Sequence, residues 1–266
     1  MRIVRQLVMK ILDKLTRIRI ALLHLLEYGP GGLFKFVSIE TITVCNRRCA
    51  YCPNSKFDRG LAENKKFLKT ELFYKLVDEL SELEFSGIVS PCLYGEPLLD
   101  ERLVQFMAYT RSKLPLAKIC IFSNGDFLTV ELYKSLLACG VNTFMITQHS
   151  EERSVNMGKV LEYRKIHGDE GASLSYDRIK NIVNRGGLID CEFKKSRCRI
   201  LLPEVAIDYN GDLILCCQDY FSSVKFGNLE NDRLIDIWRK PNYRRLRKNI
   251  KKGVLELELC KKCKGS

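Results

Sequence analysis

The sequence predicts an α/β fold: a partial, TIM-like (β/α) barrel of about five or six strands, followed by a small Cys-rich domain built on a β-hairpin and a helix. Three observations carry this. From residue 36 strand-like and helix-like segments alternate, the pattern of a parallel sheet with covering helices. The alternation stops near residue 190, which leaves room for five or six strands rather than eight. Beyond it lie a hairpin signal and a second group of cysteines.

Residues 1–35 come first, as a basic amphipathic helix. Val4, Val8, Ile11, Leu15, Ile18, Leu22 and Leu25 recur at three- and four-residue steps, the helical period. Six Lys/Arg against Asp13 and Glu27 interrupt every long apolar run of residues 1–28, so this is not a transmembrane span. Such a helix packs on its own domain or a partner, or touches an anionic membrane peripherally. Gly29-Pro-Gly-Gly32 ends it before the first strand.

Residues 36–190 carry the barrel pattern. Strands are expected at 36–44, 87–94, 117–122 and 141–148, with helices at 70–84, 101–113 and 129–138. Residues 150–182 show no legible period, although a further strand is expected before residue 184. In a barrel of this kind the working residues sit just past the C-terminal ends of the strands. There the chain carries a cysteine loop, then Tyr94-Gly-Glu-Pro97, Ser123-Asn-Gly125, Thr147-Gln-His149 and Asn184-Arg-Gly-Gly187. Each is also ordinary turn chemistry. Their shared place in the barrel pattern makes them a candidate site.

The first of these loops reads Thr43-Val-Cys-Asn-Arg-Arg-Cys-Ala-Tyr-Cys-Pro53, which spaces Cys45, Cys49 and Cys52 as C-x₃-C-x₂-C. Three thiolates can hold three irons of a [4Fe–4S] cluster and leave the fourth open for chemistry. A zinc knuckle is the alternative, but no fourth Cys or His lies nearby to close a tetrahedron.

In residues 191–266 the segments 203–207 and 213–217 flank Asp208-Tyr-Asn-Gly211, a hairpin signal, and a basic helix is expected at roughly 231–249 around Trp238. Cys198, Cys216 or Cys217, Cys260 and Cys263 can close a complete second cluster; a zinc ribbon is the alternative. Neighbouring strand residues face opposite ways, so one of Cys216 and Cys217 ligates, and Cys216 is our assignment.

Bulk properties narrow the function classes. Twelve cysteines without a cleavable secretory signal argue against a disulfide scaffold and for metal binding in a cytoplasmic protein. The net charge of +12 permits an acidic partner, and a basic metal-binding module for nucleic acid is the rival from another class. Glu96 and the open three-cysteine site do not suit that rival, so nucleic acid is not expected. No nicotinamide loop is visible, because the Gly29–Gly32 run precedes a strand rather than following one.

On these residues the chain resembles the radical S-adenosylmethionine (SAM) enzymes. The resemblance implies that the open iron chelates SAM, which one electron cleaves to a 5′-deoxyadenosyl radical. It places Tyr51 beside the adenine and makes Gly95 and Glu96 the SAM-amine motif, with Tyr94 where the family usually has a first glycine. Ser123 and Asn124 offer donors and acceptors to the ribose or carboxylate, and Gln148 joins them on the cofactor side. The second cysteine set resembles the truncated "twitch" form of the SPASM auxiliary-cluster domain.

The stretches 94–99, 124–129, 147–149 and 184–187 narrow the resemblance to the family's aminocyclitol dehydrogenases. These oxidise a secondary alcohol to a ketone and pass one electron to the auxiliary cluster. Arg185 is then an electrostatic partner of the substrate, since guanidinium is a poor base, and His149 is the titratable candidate. Gln218 stands where those enzymes carry an acidic residue lining the pocket, and residues 1–35 have no counterpart there. The implied cofactors are two [4Fe–4S] clusters and SAM. The implied partners are an aminocyclitol, amino sugar or phosphorylated glycan precursor, and a donor such as flavodoxin or ferredoxin. A radical SAM enzyme modifying a peptide or glycan is the alternative reading.

Overall fold

The computed structural model describes residues 2–28, 33–179, 182–191, 198 and 203–263. The strands are β1 (Phe36–Ile39), β2 (Ile88–Ser90), β3 (Lys118–Ser123), β4 (Thr143–Gln148), β5 (Ser173–Arg178), β6 (Glu204–Ile207), β7 (Asp212–Ile214) and β8 (Lys225–Asn228). Among the described residues they form one sheet in the order β5-β4-β3-β2-β1-β6-β7-β8. The contacts from β5 through β1 to β6 are parallel, and β7 and β8 add on antiparallel. Five parallel strands, β1–β5, lie within residues 36–190 as expected of the partial barrel, and β6 joins them as a sixth from beyond residue 190. The expected hairpin is β6–β7, and β6 pairs with β1 from Phe36↔Glu204 to Ile39↔Ile207, so the hairpin extends the barrel sheet.

The helices are α1 (Arg2–Tyr28), α2 (Thr70–Glu82), α3 (Leu103–Lys113), α4 (Val130–Ala138), α5 (Val155–His167), α6 (Leu234–Arg239), α7 (Pro241–Lys251) and α8 (Glu258–Lys262). Val37, Ile39, Val89, Ile119, Ile121, Phe144 and Ile146 bury the β-branched and aromatic side chains of the strands against Phe73, Leu76 and Leu80 of α2, Phe106 of α3 and Leu136 of α4. Phe73 and Phe106 stack with centroids 4.0 Å apart, locking α2 to α3. Thr129 caps α4, its side chain accepting from Leu132 N.

The structure corrects two sequence expectations and fills in two places that the sequence left open. The first two strands end at Ile39 and Ser90 rather than near 44 and 94; beyond β1, residues 41–43 pair instead with 66–68, Leu68 N donating to Thr41 O and Thr43 N to Lys66 O, both at 3.0 Å. The illegible stretch 150–182 holds α5 and β5. They show no period because α5 buries only Met157 and Val160 and every residue of β5 is partly or fully exposed. The single helix expected at 231–249 is two, α6 and α7, broken at Lys240 (φ −51°, ψ 133°) before Pro241. A residue before proline is driven away from the helical region, and proline then opens the next helix. Finally, the apolar stripe of α1 does not face the body: Ile11, Leu15, Ile18, Leu22 and Leu25 are all exposed. The Gly29–Gly32 break lies outside the described residues. No described helix is long and apolar enough to cross a membrane.

Candidate active site

The site is assembled where the strands end. Gly95 sits against the backbone beyond β1, so close that a Cβ there would lie 1.9 Å from Ile42 O, and Glu96 N donates to Val44 O at 2.8 Å. This close approach, which only glycine permits, brings the Gly95-Glu96 turn beside the cysteine loop. Glu96 is buried and binds across to the next strand. Its Oε1 accepts from Ser123 Oγ at 2.7 Å and Leu98 N at 3.1 Å, and its Oε2 accepts from Asn124 N at 3.0 Å. Burial raises its pKa while these donors oppose the rise. Gly95, Glu96, Ser123 and Asn124 thus form one connected group.

The loop after β3 also holds the cysteine loop. Asn124 Nδ2 donates to Asn46 Oδ1 at 2.8 Å, and Asp126 accepts from Asn46 Nδ2 at 2.7 Å and from the Arg47 guanidinium. Cys45 N donates to Gly60 O and Cys52 N to Cys49 O, which fixes the loop from its other side. Burial pushes the Cys45 thiol up to about 11 and raises Cys49, with neighbouring thiols adding to the rise. At neutral pH these thiols stay protonated until a metal takes the place of the proton. Among the described residues no three His, Cys, Asp or Glu side chains converge on one metal ion.

Tyr51 and His149 belong to this end of the site. The Tyr51 hydroxyl is hydrogen-bonded to His149 Nδ1, and the rings stack at 5.8 Å. Burial and the nearby Arg47 charge lower the His149 pKa, against the opposing charge of Asp126. Gln148 turns its amide to the Ser150 and Glu151 carbonyls, both at 3.0 Å, and so braces the loop after β4.

Arg185 and Gln218 lie at the opposite end, where the barrel meets the second cysteine set. Arg185 occupies a left-handed conformation (φ 46°) in the turn Arg185–Gly187. That turn packs on Gln218 O and Leu259, and Asn184 Nδ2 donates to Lys262 O at 2.8 Å, tying it to α8. The Arg185 guanidinium lies 5.8 Å from the Tyr94 ring centroid, and the Tyr94 hydroxyl donates to Cys217 O at 2.6 Å. Tyr94 therefore spans from the Gly95-Glu96 turn to the second cysteine set. Two polar atoms here are buried without a partner: Arg185 Nε, a donor, and Gln218 Oε1, an acceptor.

Cys216 is in electrostatic reach of Cys217, Cys198 and Cys260, and Cys260 of Cys198 and Cys263. Cys217 also has Glu204 and Arg185 as charged neighbours. The four residues Cys198, Cys216, Cys260 and Cys263 are therefore the candidates for a second cluster.

Sequence reasoning missed three contributors. Asp126 looked like the end of an Asn-Gly-Asp turn. Arg59 and Glu40 carried no motif at all, yet Arg59 is bonded to Glu40 and to Tyr220 O and lies 5.1–5.4 Å from the rings of Tyr94, Tyr209 and Tyr220. Beside Arg59 opens a cavity of ≈ 340 Å³ lined by Lys66, Lys225, Tyr209, Phe221 and Asp208 among others. Only long-range pairing could have found them.

Comparison with known proteins agrees with this layout. A radical SAM superfamily profile matches residues 39–188, and an iron-sulfur cluster-binding domain (SPASM) matches residues 198–264. The S-adenosyl-L-methionine-dependent 2-deoxy-scyllo-inosamine dehydrogenase of Niallia circulans is 31% identical over 238 residues, covering 87% of this chain and 93% of that protein. The crystal structure of BtrN in complex with AdoMet and 2-DOIA superposes with a TM-score of 0.76 at 29% identity, over 87% of this chain and 93% of that one. Native anSMEcpe with bound AdoMet shares the fold alone, at a TM-score of 0.52 and 12% identity, over 86% of this chain and 88% of that one.

Proposed function

The chain belongs to the radical SAM superfamily, and from that premise we propose that it is a dehydrogenase oxidising a secondary alcohol of an aminocyclitol or sugar-like substrate to a ketone. The observation that carries this reading is the presence of two buried, unpartnered polar atoms, Arg185 Nε and Gln218 Oε1, where the barrel meets the second cysteine set. A buried donor and acceptor without partners call for a polar ligand, and a hydroxylated, aminated ring supplies both an acceptor and donors. The relative from Niallia circulans acts, by its name, on 2-deoxy-scyllo-inosamine, which is such a ring.

Cys45, Cys49 and Cys52 would hold the cluster that binds SAM, and Cys198, Cys216, Cys260 and Cys263 the auxiliary one. When bound, these groups supply a hydrogen-abstracting 5′-deoxyadenosyl radical and an acceptor for the second electron of the oxidation. Gly95, Glu96, Ser123 and Asn124, with Tyr51, would orient SAM. His149, bonded to Tyr51, positions that ring. Arg185 holds the alcohol oxygen and favours loss of its proton by its charge, and Gln218 accepts a substrate hydroxyl or amine hydrogen. A flavodoxin or ferredoxin is the class of electron donor this chemistry requires.

The test is anaerobic reconstitution followed by iron analysis and assays of 5′-deoxyadenosine and ketone. About eight irons per chain and ketone formation from 2-deoxy-scyllo-inosamine or a related amino sugar, phosphorylated or not, are expected. SAM cleavage with modification of a peptide and no polyol oxidation would replace the substrate class. Bound zinc without SAM cleavage would end the reading.

A further inference from the structure

We propose that α1 is an interfacial anchor whose outward face lies in an anionic lipid surface. The side of α1 that meets the protein is narrow and largely polar. Arg17 donates to Ser86 O at 3.0 Å and to Leu116 O at 2.6 Å, His24 Nε2 is hydrogen-bonded to Leu83 O at 2.8 Å, and Ile20 is buried between them. At about 100° per residue, Ile11, Leu15, Ile18, Leu22, Leu25 and Leu26 fall within an arc of about 100° on the other side. Their exposures run from 48% for Leu25 through 58% for Leu15 to 82% for Leu26. A helix that belongs wholly to its own domain buries its apolar stripe; this one turns the stripe away from the domain.

Charge identifies what covers the stripe. Lys14 and Arg19 are exposed and stand at its two margins, Lys14 on one and Arg19 on the other. Residues 1–28 carry six Lys/Arg against Asp13 and Glu27, and the whole chain carries +12. A leucine-rich face edged by cations complements the acyl boundary and anionic headgroups of one bilayer leaflet. At 27 residues α1 is about 40 Å long, and it is not apolar enough to span, so it lies in the plane of the surface.

Two further facts fit an anchor added to a catalytic fold. The matched superfamily and cluster-binding regions begin at residue 39, beyond α1. The loops that α1 grips lead into the N-terminal ends of β2 and β3, whereas the candidate site is built at their C-terminal ends. Docking through α1 therefore leaves the site facing away from the lipid, toward the aqueous phase.

The test is flotation of the full-length, cluster-reconstituted protein with phosphatidylcholine vesicles, with and without phosphatidylglycerol. Partitioning onto the phosphatidylglycerol vesicles that falls with added salt is expected. The double variant Leu15→Gln/Leu22→Gln, at two exposed positions of the stripe, should lose at least about tenfold of that partitioning while forming 5′-deoxyadenosine at the wild-type rate. Failure of the wild type to float with anionic vesicles, or equal flotation of the double variant, would overturn the anchor. So would light scattering that shows a dimer abolished by the double variant without vesicle binding, which would make a second copy the occupant.

Discussion

Asp126 holds Arg47 at two points, Oδ2 to Nε at 2.6 Å and Oδ1 to Nη2 at 2.7 Å, so the loop after β3 grips the cysteine loop after β1. Both side chains are partly exposed, at 24% and 19%, which limits the pair to about 1 kcal/mol of global stability. Its importance is positional, because Arg47 lies between Cys45 and Cys49. Asp126→Ala should leave the unfolding midpoint within a few degrees but cut 5′-deoxyadenosine formation about tenfold or more. Wild-type cleavage by this variant would show that the cysteine loop needs no such grip.

Gly95 cannot accept a side chain. A Cβ there would sit 1.9 Å from Ile42 O and 2.7 Å from its carbonyl carbon, both backbone atoms that cannot swing aside. Gly95→Ala should cost about 3 kcal/mol or more and lower soluble yield, read by thermal unfolding of the reconstituted protein.

The Tyr94 hydroxyl closes a 2.6 Å bond to Cys217 O beside the second cysteine set. Tyr94→Phe removes the donor and leaves a partly buried carbonyl unpaired, at a cost of about 1–2 kcal/mol. Iron content and SAM cleavage are expected to persist, while ketone formed per 5′-deoxyadenosine falls several-fold. An unchanged ratio would confine Tyr94 to packing.

Cys216 and Cys217 should behave oppositely. Besides each other, Cys216 has the Cys198 and Cys260 thiols in electrostatic reach, and Cys217 has Glu204 and Arg185. Cys216→Ser is expected to drop iron from about eight to about four per chain, as is Cys260→Ala/Cys263→Ala, with SAM cleavage surviving and net oxidation lost. Cys217→Ser should keep both clusters. The reverse pattern would exchange the two assignments.

Stability should fall between about pH 4.5 and pH 7. Burial raises the Glu204 and Glu40 carboxyls from 4.5 to about 7, against opposing hydrogen bonds from Ser38 and from Arg59. With folded pKa values above the unfolded ones, the folded chain binds more protons in that window, so the contribution is full below about 4.5 and lost as pH rises through about 7. Glu204→Gln retains an acceptor for Ser38 Oγ and should flatten this slope in denaturant titrations at several pH values. A slope identical to wild type would mean that Glu204 is already ionised when folded.

Much of the site was legible because its signals are local. Cys45, Cys49 and Cys52 declare themselves by spacing within eight residues, and Glu96, Ser123 and His149 by falling just past strand-like runs. Arg59, Glu40 and Asp126 were not legible, since each gains its role from a partner or ring far away in sequence. The strand β8 was hidden for a related reason: only Phe226 among its four residues is buried, so no alternation marks it.

By itself the sequence determined the α/β class, the two cysteine sets and the amphipathic period of α1, all of which depend on neighbours a few residues apart. The tertiary structure alone decided which way each of these points. It joined β6 to β1 and set Arg17 and His24, not the leucine stripe, against the barrel. Periodicity states which residues share a face, but only packing between distant segments determines what that face meets.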